Sequence, residues 1–431
     1  MKQPANFCLL PFLSFNMEVA GALRPCCENL SSFGNGRTDD IMSAWNAEEW
    51  RELRKSFVLG ERHPSCSYCW SLEDRGVESY RALNNAWHEP LMPELTRDAY
   101  DFATGEMLVP PKIVVFKLSN LCNLACRMCI PSVSTSVMKF WDKEFERLTG
   151  DGNEGVQKNY ENVAALRAEL RHMAPHLSQI SFSGGEPFAD PKVLEVLKEL
   201  KPWAAGIRVY INTNLSKLRH GSIDILALLT DYAEKMICVS IDGPPELHGY
   251  TRPGLDLPCF LENLKQLQQD PSFVIHTNTA LYALNALYFP ETVAWILSEV
   301  RPQRLNVSLS SKLGSEHMDA RVLPSALKAA AVAKINALLT RLDEHNELET
   351  YLLQDTRTCL ETVSGFLQSE DLCTPAHLSR MASYFRRLDH VHGTDLRQVN
   401  PEVADLLAGL PDFEGEAAIR QGPVAGMPQC P

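Results

Sequence analysis

The stretch KIVVFKLSNLCNLACRMC, residues 112–129, decides how this chain is read. Its first part, KIVVFKL at 112–118, is a short run rich in β-branched and aromatic residues, which predicts a buried strand. Its second part sets Cys122, Cys126 and Cys129 at C-x-x-x-C-x-x-C spacing in the loop leaving that strand. Parallel α/β sheets place their active sites at this end of their strands. Three thiolates there can hold three irons of a 4Fe–4S cube, leaving the fourth iron without a protein ligand. An open metal position is where a small molecule can be chelated. The plainer readings are a zinc site with a missing ligand, or three core cysteines.

Outward from this stretch the strand-and-helix alternation continues. Strands are predicted at 112–118, 178–183, 207–213, 235–241, 273–281 and 304–310. Helical periodicity falls between them, at 161–174, 191–202, 222–234, 258–269 and 290–300. Such alternation argues for a parallel sheet of βαβ units. Six units suit a partial (β/α)6 TIM-like barrel better than an eight-fold one. After Pro324 the chain turns mostly helical, at 325–345, 347–369 and 375–389, with a Gly- and Pro-containing tail. Before the barrel, residues 1 to about 105 are irregular and rich in Cys, Trp, Asn and Gly. Helices are expected there at 44–57 and 73–87, and a proline-containing linker at 88–111. The division expected is 1–105, 106–324 and 325–431.

The loop at 122–129 resembles the signature of the radical S-adenosylmethionine (SAM) superfamily, whose open iron chelates the amino and carboxylate groups of SAM. The end of the second strand, SFSGGEPFAD, looks like the family's GGEP motif. The resemblance implies that Gly184, Gly185, Glu186 and Pro187 bind the SAM amino group. Glycines let backbone approach a ligand closely, and a carboxylate accepts from an ammonium. In YINTN, Asn212 and Asn214 stand where the family often places polar cofactor contacts. The segment SIDGPPELHGYTRPG is similar to one in peptide-modifying and related subgroups. Ser240 and Arg252 become candidates for the ribose and the methionine carboxylate, the latter because a guanidinium fork makes two parallel bonds. A strand-end cap and a surface ion pair are the bland alternatives. One departure is Met128, where the family commonly has an aromatic residue near the adenine; a thioether can contact a flat ring. The resemblance implies reductive cleavage of SAM to a 5′-deoxyadenosyl radical that abstracts hydrogen from a substrate. An electron donor such as flavodoxin or ferredoxin would serve it.

Cys8, Gly21 and Cys26 form C-x12-G-x4-C, and Cys66 and Cys69 a C-x-x-C. This set resembles the twitch and SPASM auxiliary-cluster domains, which in most of that family follow the barrel; here the set precedes it. The resemblance implies that Cys8, Cys26, Cys66 and Cys69 hold a second, auxiliary 4Fe–4S cluster, with Cys27 able to replace Cys26. Four thiolates serve zinc equally well. The remaining thiols, Cys238, Cys259, Cys359, Cys373 and Cys430, are scattered. Packing is expected for Cys238 and Cys259, and Cys430 is expected in a tail. Cys359 or Cys373 could instead donate hydrogen to a product radical, and Arg386, Arg387 or His390 could face substrate.

Composition narrows the function. With 431 residues and a 45% hydrophobic fraction the chain can build more than one compact unit. No apolar run approaches the ~20 residues of a membrane span, and the N-terminus lacks a secretory pattern. A cytoplasmic protein is expected. Thirteen cysteines in a reducing compartment argue for metal sites over disulfides. A net charge of −13 disfavours nucleic acid as a partner. The expected function is a radical SAM enzyme acting on a small metabolite or a ribosomally made peptide. The alternative is a non-enzymatic iron–sulfur electron carrier or zinc-stapled binding protein, which would need no GGEP.

Overall fold

A computed structural model describes residues 4–37, 39–74, 76, 78–94, 96, 98–157, 163–310, 316–342 and 350–415. The expected tail with Cys430 lies outside these residues, as do the ends expected for helices at 161–162, 343–345 and 347–349. Eight strands form one sheet: β1 (Ser14–Met17), β2 (Leu23–Arg24), β3 (Ile113–Phe116), β4 (Gln179–Phe182), β5 (Arg208–Thr213), β6 (Glu234–Ser240), β7 (Phe273–Leu281) and β8 (Arg304–Leu309). Their order is β8-β7-β6-β5-β4-β3-β1-β2. From β3 to β8 the strands are parallel and spatially in chain order. This is the six-stranded partial barrel that the periodicity predicts.

Parallel strands covered on both faces are buried on both faces, and here the two faces differ. Val209, Ile211, Ile237 and Val239 belong to the continuous apolar core. The alternate residues Tyr210, Met236 and Cys238 form a separate small cluster. With Asn212, Ser240, His276 and Asn278 in phase with them, the second face is polar.

The crossover helices follow the apolar patterning. α4 (Val163–Met173), α5 (Pro191–Glu199), α6 (Ile225–Leu229), α7 (Leu257–Gln269) and α8 (Phe289–Trp295) alternate with the strands. Asp190, Asp224 and Asp256 cap α5, α6 and α7 by accepting backbone N–H bonds. α9 (Ser325–Leu342), α10 (Thr350–Leu367) and α11 (Pro375–His392) make the C-terminal part, and α10 packs on β8. No helix among the described residues is long and apolar enough to cross a membrane.

The N-terminal region departs from expectation. The helix expected at 44–57 is two, Ile41–Trp45 and Glu48–Val58. Of that expected at 73–87 only Tyr80–Trp87 forms, called the foot helix below, and a separate helix, Ser67–Glu73, ends where it was expected to begin. β1 lies in the stretch read as irregular, and it pairs in parallel with β3, Ser14 opposite Ile113 through Met17 opposite Phe116. The N-terminal region therefore extends the barrel sheet. A boundary at 105 falls inside a turn, since Tyr100 and Met107 bridge across it. The buried Arg54 donates to the carbonyls of Trp45 and Pro11 and, from its Nη1, toward Gly105, fixing that turn to the N-terminal unit.

Candidate active site

At the carboxyl ends of the strands one cavity gathers the cysteine loop and the later motifs. Cys122, Cys126, Met128 and Cys129 line it with Gly184, Gly185 and Glu186, Asn212, Ser240 and Arg252. Pro187 does not. It is buried and opens the short helical turn 187–189, where its fixed φ suits the first position.

The glycines are explained by backbone contact. A Cβ on Gly185 would stand 2.0 Å from the Leu121 carbonyl oxygen, and Gly184 has φ 109°. The Gly185 and Glu186 N–H groups donate to the Ser119 and Leu121 carbonyls at 3.1 and 2.7 Å. The GGEP turn thus fastens the start of the cysteine loop.

Glu186 is 2% exposed. Its Oε1 accepts from Thr213 Oγ1 at 2.7 Å and from the Phe188 N–H at 3.0 Å, and its Oε2 from the Asn214 N–H at 2.7 Å. Burial raises its pKa against these bonds, which lower it. Asn214 Nδ2 reaches Asn123 Oδ1 in the cysteine loop at 3.3 Å. Asn212 and Ser240, by contrast, are nine-tenths buried with no side-chain hydrogen bond among the described residues, so their polar atoms are left for a ligand.

Arg252 is held rather than free. Its Nε and Nη2 donate to Asp242 Oδ2 at 2.8 and 2.7 Å, and Nη1 lies 3.7 Å from Cys126 Sγ. Asp242 is fully buried and accepts from the Ala280 N–H at 2.9 Å through its other oxygen. Its charge is the cause that keeps Arg252 protonated against burial. Burial pushes Cys122 up to about 12. A hydrogen bond shared between Cys126 and Cys129 lowers the first and raises the second, and Arg252 helps lower Cys126.

Several contributors carry no motif. Lys117 lines the cavity with its Nζ 2.8 Å from Glu18 Oε2, and Arg24 stands 3.8 Å from the same carboxylate, so the β1–β2 hairpin neutralises a buried cation of the mouth. Arg127, inside the cysteine loop, donates to Asp389 at 2.9 Å and stacks 3.6 Å over Tyr250, while Tyr384 donates to the Arg127 carbonyl at 2.8 Å. α11 therefore clamps the loop from outside. The residues considered for substrate on α11 do not line the cavity: Arg386 pairs with Asp412 and Arg387 with Asp142, and His390 is exposed. Cys359 donates to the Leu305 carbonyl behind β8, and Cys373 stands beside Asp371, so neither reaches the cavity. Cys238 is 2% exposed, as a packed thiol should be; Cys259, expected to pack, is exposed on α7.

The N-terminal set also comes together. Cys8, Cys26, Cys66 and Cys69 lie within electrostatic reach of one another, and burial raises each thiol, Cys66 to about 11. Asn29 Nδ2 reaches Cys66 Sγ at 3.8 Å. Cys26 feels Cys66 and Cys69 and is itself felt by Cys8. Among the described residues no three His, Cys, Asp or Glu side chains converge on one ion's position. A cube binds its thiolates at separate corners. Both donor sets are sulfur, which suits iron–sulfur clusters.

Fold and site together define the class: a parallel α/β barrel whose mouth offers three thiolates and a polar cavity, preceded by a four-thiolate unit. Residues 116–296 match the family model described as the radical SAM superfamily, and residues 8–70 that of SPASM, an iron–sulfur cluster-binding domain. Residues 116–296 therefore carry a radical SAM domain and residues 8–70 a SPASM-type cluster-binding domain, families whose cofactors are 4Fe–4S clusters and SAM. The second match settles iron–sulfur against zinc for that domain. No curated protein matches the chain.

Solved structures similar to it include native anSMEcpe with bound AdoMet and Cp18Cys peptide, at 14% identity and TM-score 0.33, covering 67% of this chain and 63% of that one. Streptococcus suis SuiB bound to S-adenosylmethionine is 14% identical with TM-score 0.36, covering 80% and 70%. SuiB bound to precursor peptide SuiA is 13% identical with TM-score 0.35, covering 90% and 73%. The chain thus spans 63% of the length of the first of these.

Proposed function

We propose that this protein cleaves SAM reductively and directs the resulting radical to a hydrogen atom of a small biosynthetic metabolite or a ribosomally made peptide. The observation that carries the reading is the single cavity joining Cys122, Cys126 and Cys129 to Glu186, Asn212, Ser240 and Arg252. When bound, the reduced cluster and SAM supply a 5′-deoxyadenosyl radical, the species that takes the hydrogen atom.

The chain's own part is positioning. Cys122, Cys126 and Cys129 would hold the SAM-binding cluster, and Cys8, Cys26, Cys66 and Cys69 the auxiliary one. Arg252, fixed by Asp242, keeps Nη1 toward the cavity, where it suits the methionine carboxylate. Asn212 and Ser240 offer unpaired polar atoms to ribose hydroxyls, and the Met128 thioether a soft surface to adenine. Glu186 Oε2 keeps a lone pair for the ammonium beside its bond from Asn214. Gly184 and Gly185 leave room, and Pro187 sets the turn. A flavodoxin or ferredoxin would deliver the electron.

The test is SAM cleavage by anaerobically reconstituted, dithionite-reduced protein, read as 5′-deoxyadenosine, beside a Cys126→Ala control. Product lost in the control, with about eight irons per chain, supports the proposal. Fully clustered protein that neither binds SAM nor makes 5′-deoxyadenosine overturns it.

A further inference from the structure

A second cavity lies at the opposite end of the barrel. It is roofed by residues of the inward polar face, among them Tyr210, Met236, His276 and Arg304, and floored by the foot helix Tyr80–Trp87. Tyr80, Leu83, Asn84 and Trp87 line it at helical spacing, so one face of that helix is turned to it. The helix is held in place beside Cys8: Asn85 Nδ2 donates to the Phe7 carbonyl at 2.8 Å, and the Leu9 N–H donates to Asn85 Oδ1 at 2.9 Å. The two cavities do not merge. Tyr210, Met236 and Cys238 pack on one another between them. On β5, Tyr210 faces the lower cavity and Asn212 the upper; on β6, Met236 and Ser240 divide likewise.

We propose that this foot cavity binds a small planar anion, an aromatic carboxylate, at a site separate from the SAM cavity. Three observations select that chemistry. First, His276 is 4% exposed, and its imidazole lines the cavity with no hydrogen bond among the described residues. Its ring N–H opens onto the cavity and is available to a ligand acceptor. Second, Arg304 is the cross-strand partner of His276. It spends Nε on Asp355 at 2.5 Å and lies 5.9 Å over the Trp87 ring, and its terminal nitrogens make no hydrogen bond among the described residues. That leaves a fork shaped for a carboxylate. No acidic side chain lines the cavity to compete for it. Third, Trp87 and Leu83 remain 47% and 49% exposed at the mouth, and Tyr210 presents a ring from the barrel side. Flat apolar surfaces from two elements suit a ring. The site stands on these residues alone and does not depend on the SAM reading.

Calorimetric titration of the reconstituted full-length protein with 2-naphthoate and with 2-naphthamide tests it. The acid should bind, and the neutral amide at least about tenfold more weakly, as expected for a hydrogen bond to a charged group. Arg304→Met should weaken the acid by a similar factor, and Trp87→Ala should weaken both ligands, with SAM binding unchanged in each. Protein saturated with SAM should bind the acid as before. The proposal is overturned if the acid gives no heat at millimolar concentration, if acid and amide bind the wild type equally, or if SAM displaces the acid.

Discussion

The Glu186 carboxylate accepts from Thr213 Oγ1 and from the Phe188 and Asn214 N–H groups, so it joins the end of β4 to the end of β5 before any ligand arrives. Each buried donor left unpaired costs about 1–3 kcal/mol. Glu186→Ala should therefore destabilise the protein by a few kcal/mol even without SAM, seen as a lower urea midpoint. Ser240→Ala, which breaks no hydrogen bond, should leave the midpoint alone and weaken SAM binding. Equal midpoints for Glu186→Ala and wild type would refute the stapling role. The motif residues were legible because local spacing defines them: C-x-x-x-C-x-x-C and GGEP each close within one loop. Asp242 beneath Arg252, Glu18 beneath Lys117 and Asp389 beside Arg127 were not legible. These partners lie 10, 99 and 262 positions away, and an isolated carboxylate carries no mark of its partner. Pro187 sits in the motif yet serves the turn.

Among the elements, β1 has the largest consequence. It lies between β2 and β3, all four residues are buried, and it covers what would otherwise be the open edge of the barrel. Four residues, SFNM, flanked by Pro11 and Gly21, give too short an alternation to stand out from a cysteine-rich stretch. The six barrel strands, two of them no longer than β1, lie in wider apolar runs set between helical periods and were found within a residue or two. Since β1 is central, Asn16→Pro removes a ladder donor and clashes within the sheet, a cost of about 3 kcal/mol or more. It should drive the chain into the insoluble fraction. Deleting residues 1–105 should do the same by baring β3, whose four residues IVVF are all apolar and buried. A soluble truncation with the circular dichroism of an intact α/β barrel would show the N-terminal unit to be detachable after all.

Across the whole molecule, buried imidazoles make stability depend on acid. His248 is fully buried, accepts from the Asp242 N–H, and is held far below its ordinary pKa by burial and then by Arg252. Burial, with Arg304 adding to it, pushes His276 down to about 4. His88, beside the foot cavity, falls to about 4 from burial and then Arg208. The folded protein thus binds these protons less readily than the unfolded chain, whose imidazoles titrate near 6.5. Stability from these groups is fully present above pH 6.5 and is lost as pH falls toward 4, because protons then favour the unfolded chain. For His276 alone the loss amounts to about 3 kcal/mol across that window. His276→Gln should flatten the fall of the urea midpoint between pH 6.5 and 5 relative to wild type. Comparing the two proteins at equal cluster content cancels any acid loss of the clusters. Parallel curves would mean that the His276 imidazole takes up its proton in the folded state as easily as in the unfolded one. The foot cavity would then be wetter and more open than the packing of Tyr210 and the foot helix implies, and its preference for an anion would rest on Arg304 alone.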